Sequence, residues 1–142
     1  MANTIEGLGG NDVLEGAGGN DRLIGGEGND FLTGGLGKDT LIGVDPYDPL
    51  AGRGEYDGLV GGLGADAFIL GDASGAYYTG NGSATIWDFS VLGGDSIQLT
   101  GSASEYSIEA NKYGDNSIFR GLDLIAVAYD AGVIPSTSLD FV

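Results

Sequence analysis

The chain has 142 residues, room for one or two small domains, and a formal charge of −16 from 21 acids and 5 bases. That balance argues against nucleic acid as a partner, because phosphates call for Lys/Arg patches. Cysteine and histidine are absent, so disulfides, thiolate zinc sites, H-E-x-x-H hydrolysis and His-based dyads or triads are excluded within these residues.

The chain opens MANTIEG, with neither a basic n-region nor an apolar h-region. This start reads as half a repeat, with Asn3 at an acidic position and Ile5 at an apolar one, so an upstream domain of the same protein is expected. Seven nine-residue blocks then run from Gly7 to Ile69. Their sixth positions are Asp12, Asp21, Asp30, Asp39, Asp48, Asp57 and Asp66. Two places later stand Leu14, Leu23, Leu32, Leu41, Leu50, Leu59 and Phe68. Blocks 25–33, 34–42 and 61–69 read G-G-x-G-x-D-x-U-x, with U a large apolar residue. Of the 29 glycines, 19 lie between Gly7 and Gly64. A flexible glycine linker would not place an apolar residue at every ninth position.

Regularly spaced acids favour a hard cation over mere solubility in this half. Ca²⁺ takes six to eight oxygens, more than one carboxylate and its neighbouring carbonyls supply, so two turns must share an ion. Glycine lets the turn adopt positive φ and present its carbonyls. Each x-U-x triplet reads as a short strand with its middle residue inward. Two blocks, eighteen residues, complete one coil.

The repeat resembles the calcium-binding nonapeptide of the RTX family. The resemblance implies an all-β fold: a right-handed parallel β-roll over residues 1–69, followed by a β-rich C-terminal cap over 70–142. It implies calcium ligands among the seven aspartates and the turn glycines Gly7, Gly9, Gly16, Gly18, Gly25, Gly28, Gly34, Gly37, Gly61 and Gly64. Carried onto this chain, it pairs Asp12 with Asp30, Asp30 with Asp48 and Asp48 with Asp66 on one edge. On the other edge it pairs Asp21 with Asp39 and Asp39 with Asp57. About five calcium ions follow, with Asn3 facing Asp21 as a weaker sixth position. Blocks 43–51 (GVDPYDPLA) and 52–60 (GRGEYDGLV) depart from the pattern, with Pro46 at a glycine position and Arg53 and Glu55 among the turn residues.

Leu14, Leu32, Leu50 and Phe68 are expected to line one sheet inside the roll, and Leu23, Leu41 and Leu59 the other. Ile24, Ile42 and Val60 form an outward stripe that is either plain strand surface or covered. Burial contributes roughly 1.5–3 kcal/mol for each Leu or Phe, against about 1–2 kcal/mol of backbone entropy per residue. Ions must supply the difference, so folding and binding are expected to be one event.

Beyond Leu70 the period stops. Alternating residues predict strands near 84–89, 95–99, 104–109, 116–120, 123–129 and 138–142, with a hairpin turn at Asn81-Gly82. The segment Ile86-Trp87-Asp88-Phe89 followed by Gly94-Asp95-Ser96-Ile97-Gln98-Leu99 is similar to the cap of secreted RTX proteases. Asp88 and Asp95 either bind a further calcium or are satisfied by turn amides. Trp87, Tyr77 and Tyr78 are assigned to the core. The ending Ser-Leu-Asp-Phe-Val resembles the uncleaved signal read by type I secretion machinery, and a plain last strand explains it too.

The expectation is a non-catalytic, secreted, extracellular bacterial module. It folds on calcium and supports secretion and stability of a larger protein, without a membrane-spanning segment. Two alternatives stand beside it: the C-terminal part of a secreted hydrolase, and an adhesin or surface-binding roll.

Overall fold

The computed structural model describes residues 1–129 and 131–142. In chain order, β1 (Thr4–Gly9), β2 (Val13–Glu15), β3 (Arg22–Glu27), β4 (Phe31–Leu36), β5 (Thr40–Val44), β6 (Tyr56–Leu63) and β7 (Ala67–Ile69) alternate between two sheets. Next come a small β8–β9 hairpin (Gly71–Asp72 and Gly75–Ala76), then β10 (Ser83–Ile86), β11 (Ser96–Leu99), β12 (Tyr106–Ala110), β13 (Asn116–Arg120), β14 (Asp123–Ala128) and β15 (Leu139–Phe141). The last six fall where alternation places strands.

The fold is a parallel β-roll. One sheet has the order β1-β3-β5-β7-β11-β15, parallel throughout. The other runs β2-β4-β6-β10-β14 in parallel, then turns antiparallel through β13 to β12 as a β-rich end. Both sheets pass residue 69 without a break, since β11 pairs with β7 and β10 with β6. Asn81-Gly82 is therefore no hairpin turn; it leads into β10, which lies parallel to β6.

One nine-residue block does not enter the coil. Strands β4 and β6 pair Leu32 with Leu59, and β5 and β7 pair Leu41 with Phe68, each 27 residues apart where the earlier coils step by 18. The cause lies in the seventh position of each block. There the amides of Arg22, Phe31, Thr40, Gly58, Ala67 and Ser96 donate to carbonyls of Asn3, Asp12, Asp21, Asp30, Asp39 and Asp66 at 2.8–2.9 Å. Block 43–51 carries Pro49 at that position. Proline has no N–H, so this block cannot pair with the Asp30 carbonyl, and the next block takes its place.

The slip corrects the expected core. Leu50 is 57% exposed, and Leu59 and Phe68 exchange sheets relative to the unbroken period. Ile5, Leu23, Leu41, Phe68, Ile97 and Leu139 stack along one sheet, and Leu14, Leu32, Leu59 and Ile86 along the other. The outer stripe divides as well. Ile24 stacks on Ile42, but Val60 lies beside Thr33 on the opposite sheet. Ile42 is buried, and Pro46 and Tyr47 of the displaced block line a shallow hollow with it, together with Tyr77. The displaced block thus folds back over the outer face. Tyr77 and Tyr78 are buried, while Trp87 is half-exposed and stacks on Tyr129 with ring centroids 5.0 Å apart.

The two leucines separate the observed register from the unbroken one. Leu59→Ala, at a fully buried site, should cost about 2–5 kcal/mol of the calcium-loaded protein's stability. Leu50→Ala should cost less than about 0.5 kcal/mol. Denaturant midpoints of the two variants measure the difference, and equal losses would contradict the displaced block.

Candidate metal sites

The aspartates form two rows, one at each edge of the roll. On one edge the Asp12 amide donates to Asp30 Oδ1 at 2.8 Å, and the Asp30 amide to Asp57 Oδ1 at 2.7 Å. On the other edge the amides of Asn3, Asp21, Asp39 and Asp66 donate in turn to Oδ1 of Asp21, Asp39, Asp66 and Asp95, at 2.7–2.9 Å. Asp12 thus stands by Asp30 and Asp21 by Asp39, as the eighteen-residue coil predicts. The expected pairs Asp30–Asp48, Asp48–Asp66 and Asp39–Asp57 are replaced by Asp30–Asp57 and Asp39–Asp66. Asp48 lies in the displaced block, where its Oδ1 accepts from the Leu50 amide within a local turn.

Asp21, Asp30, Asp39, Asp57 and Asp66 each spend one oxygen on this ladder, while Asp12, at the head of its row, only donates its amide. The second oxygen, Oδ2, is buried without a hydrogen-bond partner at Asp12, Asp21, Asp30, Asp39 and Asp66. A buried unpaired acceptor costs about 1–3 kcal/mol, more when it is charged. These oxygens face the glycine that opens their block. A Cβ on Gly7 would lie 2.7 Å from Asp12 Oδ2 and 2.5 Å from the Gly25 carbonyl. The same cradle recurs at Gly16 with Asp21 and the Gly34 carbonyl, at Gly25 with Asp30 and the Gly43 carbonyl, and at Gly34 with Asp39 and the Gly61 carbonyl. Gly61 faces Asp66 alone. Two acceptor oxygens converging on a space that only glycine leaves open fit a hard cation. Among the described residues no three carboxylates meet at one point, so such a cation must draw on backbone carbonyls.

The remaining turn glycines pack coil on coil. Gly28, Gly37 and Gly64 have φ of 129°, 135° and 152°, and a Cβ on them would strike the carbonyls of Gly10, Gly19 and Gly37. Gly9 ends β1 opposite Glu27, and Gly18 bridges to Leu36. Several contributors lie outside the acidic period. Asn11, Asn20 and Asn29 form a parallel amide ladder, their Oδ1 atoms accepting from Asn29, Lys38 and Tyr56 at 2.7–3.0 Å. Their recurrence at the fifth position was the available signal. Glu55 accepts from the amides of Gly28 and Gly52, standing in for a carbonyl that the displaced block withdraws. Asp88 takes the Gly61 and Gly62 amides, both at 2.8 Å, and Asp95 takes those of Asp66 and Ser90. Turn amides therefore satisfy both.

Burial pushes the Asp66 carboxyl up to about 6, with Asp95, Asp39 and Asp88 adding like charge. Burial also lifts Asp57 to about 6, against a lowering hydrogen bond from Tyr78. In the unfolded chain these groups titrate near 3.9. The ion-free fold therefore holds protons that the unfolded chain releases, and it loses stability as pH rises through about 4 to 6. A bound cation favours the ionised form and reverses the sign. In EDTA the chain, open at pH 7, should gain β structure and a melting transition as pH falls to 5, while the apparent calcium affinity falls across the same interval. Scanning calorimetry and calcium titration at both pH values check this; an affinity indifferent to pH would contradict it.

Comparison with known proteins follows the same lines. The model of the RTX calcium-binding nonapeptide repeat, in 4 copies, matches residues 2–32 and 15–44. The matched segments end at Val44, the last residue of β5 and the second of the displaced block 43–51. No curated protein matches the sequence. Among solved structures, the chain is similar to the solution structure of the AlgE6R3 subunit from the Azotobacter vinelandii mannuronan C5-epimerase. That likeness has 21% identity over 96% of this chain and 77% of that one, with a TM-score of 0.40. Residues 2–44 are RTX nonapeptide repeats, and repeats of this kind bind calcium.

Proposed function

We propose that this chain is a calcium-dependent folding module, not a catalyst, whose ions sit in the two aspartate rows. The observation that carries the reading is the set of five buried, partnerless Oδ2 atoms. Each marks one ion position, so about five ions bind, at Asp12, Asp21, Asp30, Asp39 and Asp66. The opening glycines Gly7, Gly16, Gly25, Gly34 and Gly61 keep those positions open. Backbone carbonyls, including those of Gly25, Gly34, Gly43 and Gly61, complete the donor set. Asp48 holds no ion, and Gly9, Gly18, Gly28, Gly37 and Gly64 shape the turns. Asn3 offers a neutral oxygen beside Asp21 and a weaker position.

The setting we infer is extracellular. Ca²⁺ sites of extracellular modules have Kd roughly 10⁻⁴–10⁻³ M, far above cytosolic free calcium. Inside a cell the rows stay empty, and a chain of net charge −16 repels itself and remains open. Such a chain suits passage through type I secretion machinery ahead of or behind an upstream domain of the same protein. Outside, calcium neutralises the rows and closes the coil, and the end of the roll stabilises what it is joined to. No helix among the described residues is long and apolar enough to cross a membrane.

The test is a calcium titration followed by far-ultraviolet circular dichroism. A cooperative gain of β signal is expected with calcium, and none with magnesium, which demands tight octahedral geometry. A complete β spectrum in excess EDTA at neutral pH would overturn the reading. Ion counting adds a second check. Asp39→Asn should lose at least one equivalent of calcium and Asp48→Asn none; equal losses would return Asp48 to the row.

A further inference from the structure

One aspartate in the rows differs from the others. At Asp57 the Oδ2 atom is not orphaned: it accepts from the Tyr78 hydroxyl at 2.6 Å. The glycine facing it is Gly43. A Cβ there would meet the Tyr78 hydroxyl oxygen and Asp57 Oδ2 at once. At Gly25, one coil earlier, the same two contacts would be the Gly43 carbonyl and Asp30 Oδ2. The phenol oxygen thus occupies the place that a carbonyl oxygen holds in the preceding turn.

The chemistry of the two oxygens differs. A carbonyl and a carboxylate are both acceptors, so where they face each other only a cation between them turns repulsion into attraction. A hydroxyl accepts and donates. It fills the carbonyl's position and supplies the missing positive end from its own proton. The arrangement is held from several sides. Tyr78 is fully buried, and its amide donates to the Ala51 carbonyl at 3.1 Å. Gly52 approaches so closely that a Cβ on it would lie 2.7 Å from the Tyr78 ring and from its amide nitrogen. Tyr78 itself has φ of 57°, a left-handed conformation that non-glycine residues rarely adopt. Surroundings that hold a buried tyrosine in that backbone also fix where its hydroxyl sits.

We propose that Tyr78 is a built-in stopper, whose hydroxyl takes the place of an ion at Asp57 and ends the calcium row Asp12–Asp30–Asp57. It rests on the reading of the orphaned carboxylates as calcium positions. That edge of the roll then carries ions at Asp12 and Asp30 and a proton donor at Asp57. The stopper also ties the displaced block, through Ala51, to the last aspartate of the row without calcium.

The test counts calcium by native mass spectrometry and calorimetry on the full chain. Asp57→Asn should bind as many ions as the parent, because no ion occupies that position, while Asp39→Asn binds fewer. Tyr78→Ala should bind one ion more than the parent, because the carboxylate is exposed to the space the phenol filled. The double variant Tyr78→Ala/Asp57→Asn should return to the parent count. Loss of an ion in Asp57→Asn would overturn the proposal, as would a folded Tyr78→Ala with the parent's count. Should Tyr78→Ala fail to fold in calcium, the Asp57→Asn count decides alone. A parent that binds no calcium refutes the underlying reading of the rows. A parent that binds several, one of them lost in Asp57→Asn, refutes only the stopper.

Discussion

The roll depends on a repulsion built into its edges. At Gly7, Gly16, Gly25 and Gly34 a buried carboxylate oxygen comes against the carbonyl of the neighbouring turn, with the opening glycine leaving space between them. At Asp21, Asp30 and Asp39 the first carboxylate oxygen accepts the amide of the preceding coil's row residue, which fixes the side chain and aims the second oxygen at that space. Without a positive charge these contacts are unfavourable, and burial adds to the cost by raising the Asp66 and Asp57 carboxyls to about 6. With one, the same contacts become attractive. The leucine and isoleucine ladders within are one residue wide on each sheet, too thin a core to offset glycine-rich backbone entropy alone. On the proposed reading, sheet pairing, turn geometry and ion binding form one cooperative unit.

Two devices interrupt the row pattern, and both work through hydrogen-bond donors. Pro49 removes the amide that a block must donate to the preceding coil, so block 43–51 leaves the ladder. Its residues are reused: Pro46 and Tyr47 flank Ile42 on the outer face, and Ala51, with Gly52 of the following block, anchors Tyr78. Tyr78 then brings a donor to the one row aspartate beside the displaced block. Further on, Asp88 and Asp95 accept turn amides. The roll thus passes from turns with orphaned oxygens to turns whose acceptors are matched within the protein.

Much of this was legible in the sequence, for physical reasons that also explain the failures. The period of nine fixes which residues point inward, and Leu23, Leu32 and Leu41 are indeed fully buried. The acids at the sixth position define the rows as far as Asp39. Alternation in the second half located β10 to β15 but not their partners, because parallel pairing leaves no local turn signal. That is why the continuation of both sheets past residue 69 was not anticipated. Block 43–51 misled because it keeps both its aspartate and its leucine. Its seventh residue, a proline where an amide is required, was the decisive and overlooked letter. The Tyr78 contact had no sequence signal, since it joins residues 21 apart through an irregular segment.

The central claim is that the orphaned carboxylate oxygens are cation positions. A crystal structure grown in calcium, with anomalous scattering used to place the ions, tests it directly. The account predicts peaks beside Oδ2 of Asp12, Asp21, Asp30, Asp39 and Asp66, each within about 2.3–2.6 Å of a carboxylate oxygen, and no peak at Asp48. A folded roll with those positions filled only by water, or with calcium gathered on the displaced block, would contradict it.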